Sequence, residues 1–356
     1  MDKQPSRVSS ITNKKNEKKK KRRKAIVLSF TIVTVTIILI IIAFIWSVFR
    51  EVNKTLPAIS IAPQVTTDVH TKELVPVVIP IPETVKEKAL TMALVGIDSR
   101  TGGGGLNTDV IILVTLNPDT KKGYVISMPR DSKMTYTYND KEYTQKVNSI
   151  YADGYQAARK NGADQDGQKL AGMDRLKTAI SQFYDVDVKY ATTVNFKGFK
   201  DVVDTLGGID VYVDMNMNYT DSHDNTNINL KKGDQTLNGQ QALDFVRFRQ
   251  TNDNPNASSD FERNERQSRV IQAMLKKLVS FGGITKVNSI IREVADDVTS
   301  DMPVSEIEDI ISTYIIINPN NLTFTSLPGY WKSPYVYPDE EALNNAKQEI
   351  QKIIAE

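Results

Sequence analysis

Residues Ala25 to Phe49 form an unbroken uncharged run, AIVLSFTIVTVTIILIIIAFIWSVF, and no other feature constrains the chain as tightly. At a helical rise of about 1.5 Å per residue, such a run spans a hydrocarbon layer about 30 Å thick. A buried core helix of that length would carry a polar stripe. The run is also longer than the apolar core of a cleavable signal, and Trp46-Ser47-Val48-Phe49-Arg50 offers no small-residue cleavage site. The expectation is an uncleaved transmembrane signal anchor over residues 25–49.

Charge sets its direction. Residues 1–24 hold eleven Lys or Arg against Asp2 and Glu17. Positive flanks stay in the cytoplasm, which predicts a basic cytoplasmic tail (1–24) and an exterior remainder. The location expected is therefore the cell membrane, single-pass, type II. Beside a span, attraction to anionic membrane lipid explains the basic run more simply than nucleic acid does, so no nucleic-acid partner is expected. The net charge of +2 hides −8 beyond residue 50, so an arginine cluster in that part stands out. Cysteine is absent, which excludes disulfides and thiol catalysis and fits a Gram-positive exterior. With only His70 and His223, a Ser-His-Asp hydrolase or a His-rich zinc site is hard to build.

Residues 50–87, rich in Pro, Thr and Val without helical periodicity, read as a semi-extended extracellular stalk. Residues 88–356 are long enough for one large domain. LTMALVGI, VIILVTLN and YVISMP have strand character, the last two joined by a Pro/Asp/Gly turn as a hairpin. Helices are predicted around Ile150–Arg159, Gly172–Phe183, Lys197–Leu206 and Gly239–Val246, from about Ser259 to Phe281, and from Glu340 onward. Strands are predicted at Lys189–Asn195, Ile209–Met215 and NLTFTSLP. The mixture predicts an α/β domain, a three-layer α-β-α sandwich with a central mixed sheet.

Antiparallel connections would gather Asp98, Arg100, Asp109, Arg130 and Asp131 at one end of the sheet. Carboxylates beside arginines suit a hydrated Mg²⁺ and a polyanion, and they equally suit a surface salt-bridge network. Gly102 to Gly105 permit close backbone approach to phosphate, but no Gly-Lys-Ser/Thr follows, and a lid serves as well. A second group comprises Arg247 and Arg249, at a helix end, with Arg263 and Gln267 on the inward stripe of the next helix (Val270, Ile271, Met274, Leu275, Leu278) and Arg266 beside them. An inward arginine needs a partner. Either Asp98, Asp109 or Asp131 supplies it, or an anion such as pyrophosphate does.

The strings LVGIDSR, TDVIILVTLNPDTKKGYVISMPRDS, KVNSIYADG, NFKGFKDVVDTLGGIDVYV, LNGQQALDFVRFR and DFERNERQ, in this order, resemble the LytR-CpsA-Psr family, densely over residues 89–281. The resemblance implies transfer of teichoic acid, capsule or a similar glycopolymer from an undecaprenyl-pyrophosphate carrier to peptidoglycan, assisted by Mg²⁺. It implies Asp98 and Asp109 as magnesium ligands. Arg130, Arg247, Arg249, Arg263 and Gln267 would bind pyrophosphate, with Arg100 and Arg266 nearby. Asp98 or Asp131 would take the proton, and Lys146 and Asn148 would orient the acceptor. Many members have Arg where this chain has Asn107, so another group must replace that arginine or it is dispensable. An apolar pocket between sheet and helices should take the lipid. Two rivals remain: a polyprenyl-pyrophosphate hydrolase using the same site, and a non-catalytic wall-binding or regulatory module.

Overall fold

The structure, a computed structural model, describes residues 55–62, 88–97, 106–221, 226–252, 258, 260–278, 286–314 and 318–356. The expected tail (1–24) and anchor (25–49), most of the expected stalk, and Asp98 and Arg100 lie outside the described residues. Among those described, no helix is long and apolar enough to cross a membrane.

The domain is built on a mixed sheet. Strands β1 (Leu90–Ile97), β2 (Thr108–Asn117) and β3 (Lys122–Met128) run antiparallel, with Ala93 opposite Leu113 and Leu113 opposite Ile126. The next pair, β4 (Lys133–Tyr138) and β5 (Lys141–Lys146), is a separate hairpin. Helices α1 (Val147–Lys160) and α2 (Gln165–Tyr184) follow, and they carry the chain over the sheet to β6 (Tyr190–Asn195), which lies parallel to β1. Parallel neighbours need a crossover of this kind. Strand β6 leads into α3 (Phe196–Leu206), capped by Asn195 and ended by Gly207 at φ 83°, a left-handed stop that suits glycine. Two more antiparallel pairs are formed by β7 (Ile209–Val213) with β10 (Gly233–Leu237), and by β8 (Met217–Asp221) with β9 (Thr226–Leu230).

The capping box of Asn238 and Gln241 then starts α4 (Gly239–Arg247), followed by α5 (Asp260–Leu278) and α6 (Val287–Val294). Strand β11 (Val298–Ser300), α7 (Val304–Tyr314), β12 (Leu322–Ser326), the hairpin of β13 (Gly329–Lys332) and β14 (Tyr335–Pro338), and α8 (Glu340–Ala355) complete the order. The main sheet has the order β11-β6-β1-β2-β3-β12.

Strand alternation assigns the two faces. Ala93, Val95 and Ile97 of β1, with Ile111, Leu113 and Ile126, pack into one core with α1, α2 and α8. Helices α1 and α2 cross so closely at Gly154 that a Cβ there would stand 2.5 Å from the Ala171 carbonyl oxygen. The alternate residues Leu94, Gly96 and Ile112 face α3, α4 and α5, where the packing leaves a cavity. A second core, from Val203 and Ile209 to Phe248 and Val270, holds α3, α4, α5 and the β7–β10 strands together.

One segment departs from the sequence reading. Residues 55–59 form a helical turn and Ser60 bridges to Ser300, where a semi-extended stalk was expected. The reason is apolar spacing: Leu56 and Ile59, one turn apart, are both buried. Ser60 Oγ donates to the Met302 carbonyl at 2.6 Å, and Ile61 N–H to that of Ser300 at 2.8 Å.

Candidate functional site

The cavity measures about 850 Å³ and is apolar over most of its depth. Leu94 and Ile112 form its floor, Phe199 and Val202 come from α3, Leu243 and Val246 from α4, and Ile271 and Met274 from α5. At one end the lining changes to Asn107, Asp109, Arg130, Arg247, Arg249, Arg263, Asn264 and Gln267. A single helix carries the gradient. Along α5, Arg263, Gln267, Ile271 and Met274 recur at intervals of four and three, so one stripe passes from cationic to polar to apolar.

Local structure explains how the arginines converge. Arg130 follows β3, whose antiparallel pairing with β2 returns it beside Asp109, and Nη1 of Arg130 donates to Asp109 Oδ1. The turn after it is held twice: Val147 N–H donates to the Ser132 carbonyl at 3.0 Å and Asn148 N–H to the Arg130 carbonyl at 3.1 Å. At the end of α4 the backbone becomes extended at Phe248 (φ −57°, ψ 127°), which is fully buried. Its neighbours Arg247 and Arg249 both line the cavity, with Arg247 4.9 Å above the Phe196 ring.

The cluster is crowded with positive charge. Burial pushes the Arg263 guanidinium down to about 10, and the nearby Arg249 and Arg130 add to the effect. It remains cationic at neutral pH. Burial, then Arg130, lowers Arg249 in the same way. Two polar atoms at this end, Gln267 Oε1 and Asn264 Nδ2, are buried with no hydrogen-bond partner among the described residues. Leaving such groups buried without a partner is costly. Sequence reasoning missed Asn264, although its place three residues before Gln267 on the same helix was a signal.

The structure brings together Asp109, Arg130, Arg247, Arg249, Arg263 and Gln267 on one lining. It places the other expected residues differently. Asp131 is not on the lining: Lys146 Nζ approaches its Oδ1 at 2.9 Å, Asn148 Nδ2 the same oxygen at 3.5 Å, and Arg130 Nε its Oδ2 at 3.8 Å. Its carboxylate thus ties Lys146 to the turn that presents Arg130.

Arg266, expected near pyrophosphate, is a correction. It is fully buried, gives Nε and Nη2 to the Asp214 carboxylate at 3.0 and 2.7 Å, and gives Nη1 to Ser258 Oγ at 2.9 Å. It lies beside the Phe245 and Phe248 rings instead of in the cavity. Its role is to bind α5 to the end of β7.

Among the described residues no group of three or more His, Cys, Asp or Glu is arranged to hold a metal ion. Asp109 nevertheless puts one partly exposed carboxylate on the lining beside the arginines. One or two carboxylates with water and phosphate oxygens suffice for Mg²⁺.

Fold and site together define an α/β domain with an apolar chamber whose one end is lined by arginines. Residues 52–353 match the model of the LytR_cpsA_psr family, and the chain belongs to that family. It is 30% identical over 271 residues to the polyisoprenyl-teichoic acid–peptidoglycan teichoic acid transferase TagU of Oceanobacillus iheyensis, covering 74% of this chain and 76% of that one. The TagU of Bacillus subtilis is 32% identical over 272 residues, covering 74% and 78%. The crystal structure of B. subtilis TagV superposes with a TM-score of 0.59 at 25% identity, covering 75% of this chain and 98% of that one.

Proposed function

We propose that this chain is a phosphotransferase that moves a glycopolymer, teichoic acid or a similar chain, from a polyprenyl-pyrophosphate carrier to peptidoglycan. The observation that carries the reading is the graded lining of one cavity, arginines at one end and aliphatic residues beyond. A pyrophosphate joined to a polyprenyl tail has the same order of charge and apolar surface. The names of the TagU relatives supply the donor and acceptor classes.

In this reading Arg249, Arg263 and Arg130 fork onto the pyrophosphate oxygens, while Gln267 and Asn264 offer the remaining polar contacts. The tail lies between the sheet face and α3 to α5. A peptidoglycan hydroxyl oxygen forms a bond to the glycan-proximal phosphorus. The bond from that phosphorus to the bridging oxygen breaks, and polyprenyl monophosphate leaves with its electron pair. The hydroxyl proton passes to a carboxylate at the arginine end. Guanidiniums fixed before the reaction neutralise charge on the leaving oxygens without reorganising. Asp109, with Asp98 beyond the described residues, would hold Mg²⁺, which when bound would offset further phosphate charge. The anchor and basic tail would keep the enzyme at the outer face of the cell membrane, where a lipid-linked donor resides.

Incubation of the full-length protein with labelled lipid-linked glycopolymer and peptidoglycan tests this. The expected products are labelled peptidoglycan and polyprenyl monophosphate in equal amounts. Free glycan phosphate with unlabelled peptidoglycan would make the protein a hydrolase instead.

A further inference from the structure

Two contacts from Arg130 lies an aromatic surface that the cavity does not use. In the β13–β14 hairpin, Trp331 pairs with Val336 and Tyr330 with Tyr337. Val336 is buried, bridges to Ser132, and donates its N–H to the Asp131 carbonyl at 2.9 Å. The hairpin is thereby tied to the turn that presents Arg130. Tyr330 and Trp331 are 59% and 54% exposed, adjacent members of a small set of exposed large apolar side chains among the described residues. Nζ of Lys146 sits 5.4 Å from the Trp331 ring centroid while also binding Asp131 at 2.9 Å. On the other face of the hairpin Tyr330 and Tyr337 stack at 5.6 Å and 13°, with Lys133 5.2 Å from the Tyr337 ring.

Broad aromatic faces bordered by ammonium groups suit a pyranose chain. The C–H face of a sugar ring lies flat on an indole or phenol, and carboxylates on the chain meet the lysines. The tie of Val336 to the Arg130 turn puts a chain seated on Trp331 beside the arginine end, which favours the acceptor; Trp, Tyr and Lys also suit a lipid interface, and vesicles separate the two. Lys146 takes one side of the indole, and the exposure of Trp331 leaves room for a ring on the other.

We propose that Trp331, with Lys146 across its ring, is the subsite for the acceptor glycan, placing a sugar hydroxyl toward phosphorus held by Arg130, Arg249 and Arg263. This rests on the transferase reading and names the part of the site that meets the acceptor. Lys146 couples the two, because the ammonium that borders Trp331 also fixes the Asp131 beside Arg130.

The chain contains two tryptophans, Trp46 and Trp331, so Trp46→Phe makes Trp331 the sole indole reporter. The full-length variant in detergent micelles is titrated with peptidoglycan glycan chains stripped of stem peptides. Trp331 emission should shift with the glycan and stay constant with phospholipid vesicles. In transfer assays Trp331→Ala should raise the acceptor KM about three- to tenfold, the value of one lost aromatic contact. Its kcat and donor affinity should stay unchanged, and Trp331→Phe should restore most of the acceptor KM. An unchanged KM in Trp331→Ala, or emission that answers to vesicles and not to glycan, would overturn the subsite. Absence of transfer by the wild-type protein would sink the transferase reading, and glycan titration of Trp331 would still decide the subsite.

Discussion

Arg263 and Arg266, three residues apart on α5, turn to different partners: Arg263 lines the cavity, and Arg266 closes on the Asp214 carboxylate at 2.7 Å. The helix thus presents one arginine to the cavity and uses the other for its own attachment, which makes their substitutions separable.

Arg266→Ala leaves Asp214 without its buried partner and removes the link between α5 and β7. A loss of about 3–5 kcal/mol is expected, read as a lower midpoint in chemical denaturation. Arg263→Ala should leave that midpoint nearly in place. Its effect falls on donor binding, weakened by about 2 kcal/mol or more, about thirtyfold. Equal stability loss in both variants would remove the distinction.

The same pair sets an acid limit. Burial alone would raise the Asp214 carboxyl, but hydrogen bonds and charge from Arg266 outweigh it and hold the group below its ordinary 3.8. A depressed folded value gives stability that is complete above 3.8 and fades as pH falls through the folded value. Thermal melts of wild type and Asp214→Asn should differ most near neutral pH and converge in acid. A gap that widens in acid would contradict the pairing.

Ile271 lies on the stripe of α5 beyond Gln267, where the lining is apolar. Ile271→Trp should fill part of the chamber at a folding cost of about 1–3 kcal/mol. Binding of a long-chain polyprenyl diphosphate should fall, while a diphosphate with a short tail should bind as before. Parallel loss of both ligands would place the tail elsewhere.

Much of this site was legible because strands and helices have fixed periods. The strand directions returned Arg130 to Asp109, and the α5 stripe put Arg263 and Gln267 with Ile271 and Met274. Periodicity gives a face but no partner, which is why Arg266 was misplaced: its Asp214 is distant in sequence and sits at an ordinary strand end. Asn139 and Asp140, both at positive φ, turn the β4–β5 hairpin, and the two-residue Asn-Asp between β-rich runs was a readable signal. Nothing local announced the β13–β14 hairpin, whose Gly, Pro and tyrosines resemble loop, nor the turn at 55–59, whose burial depends on β11. The contact of Lys146 with Asp131 was hidden as well, because it forms only when the β4–β5 hairpin folds back beside the turn.

On the proposed reading, one cavity receives a polyprenyl chain and its pyrophosphate together. Native mass spectrometry of the full-length protein in micelles, with polyprenyl diphosphate added, tests it directly. One lipid per chain is expected in the wild type, with occupancy sharply reduced both by Arg263→Ala and by Ile271→Trp. Equal occupancy in all three proteins, or no bound lipid in the wild type, would contradict it.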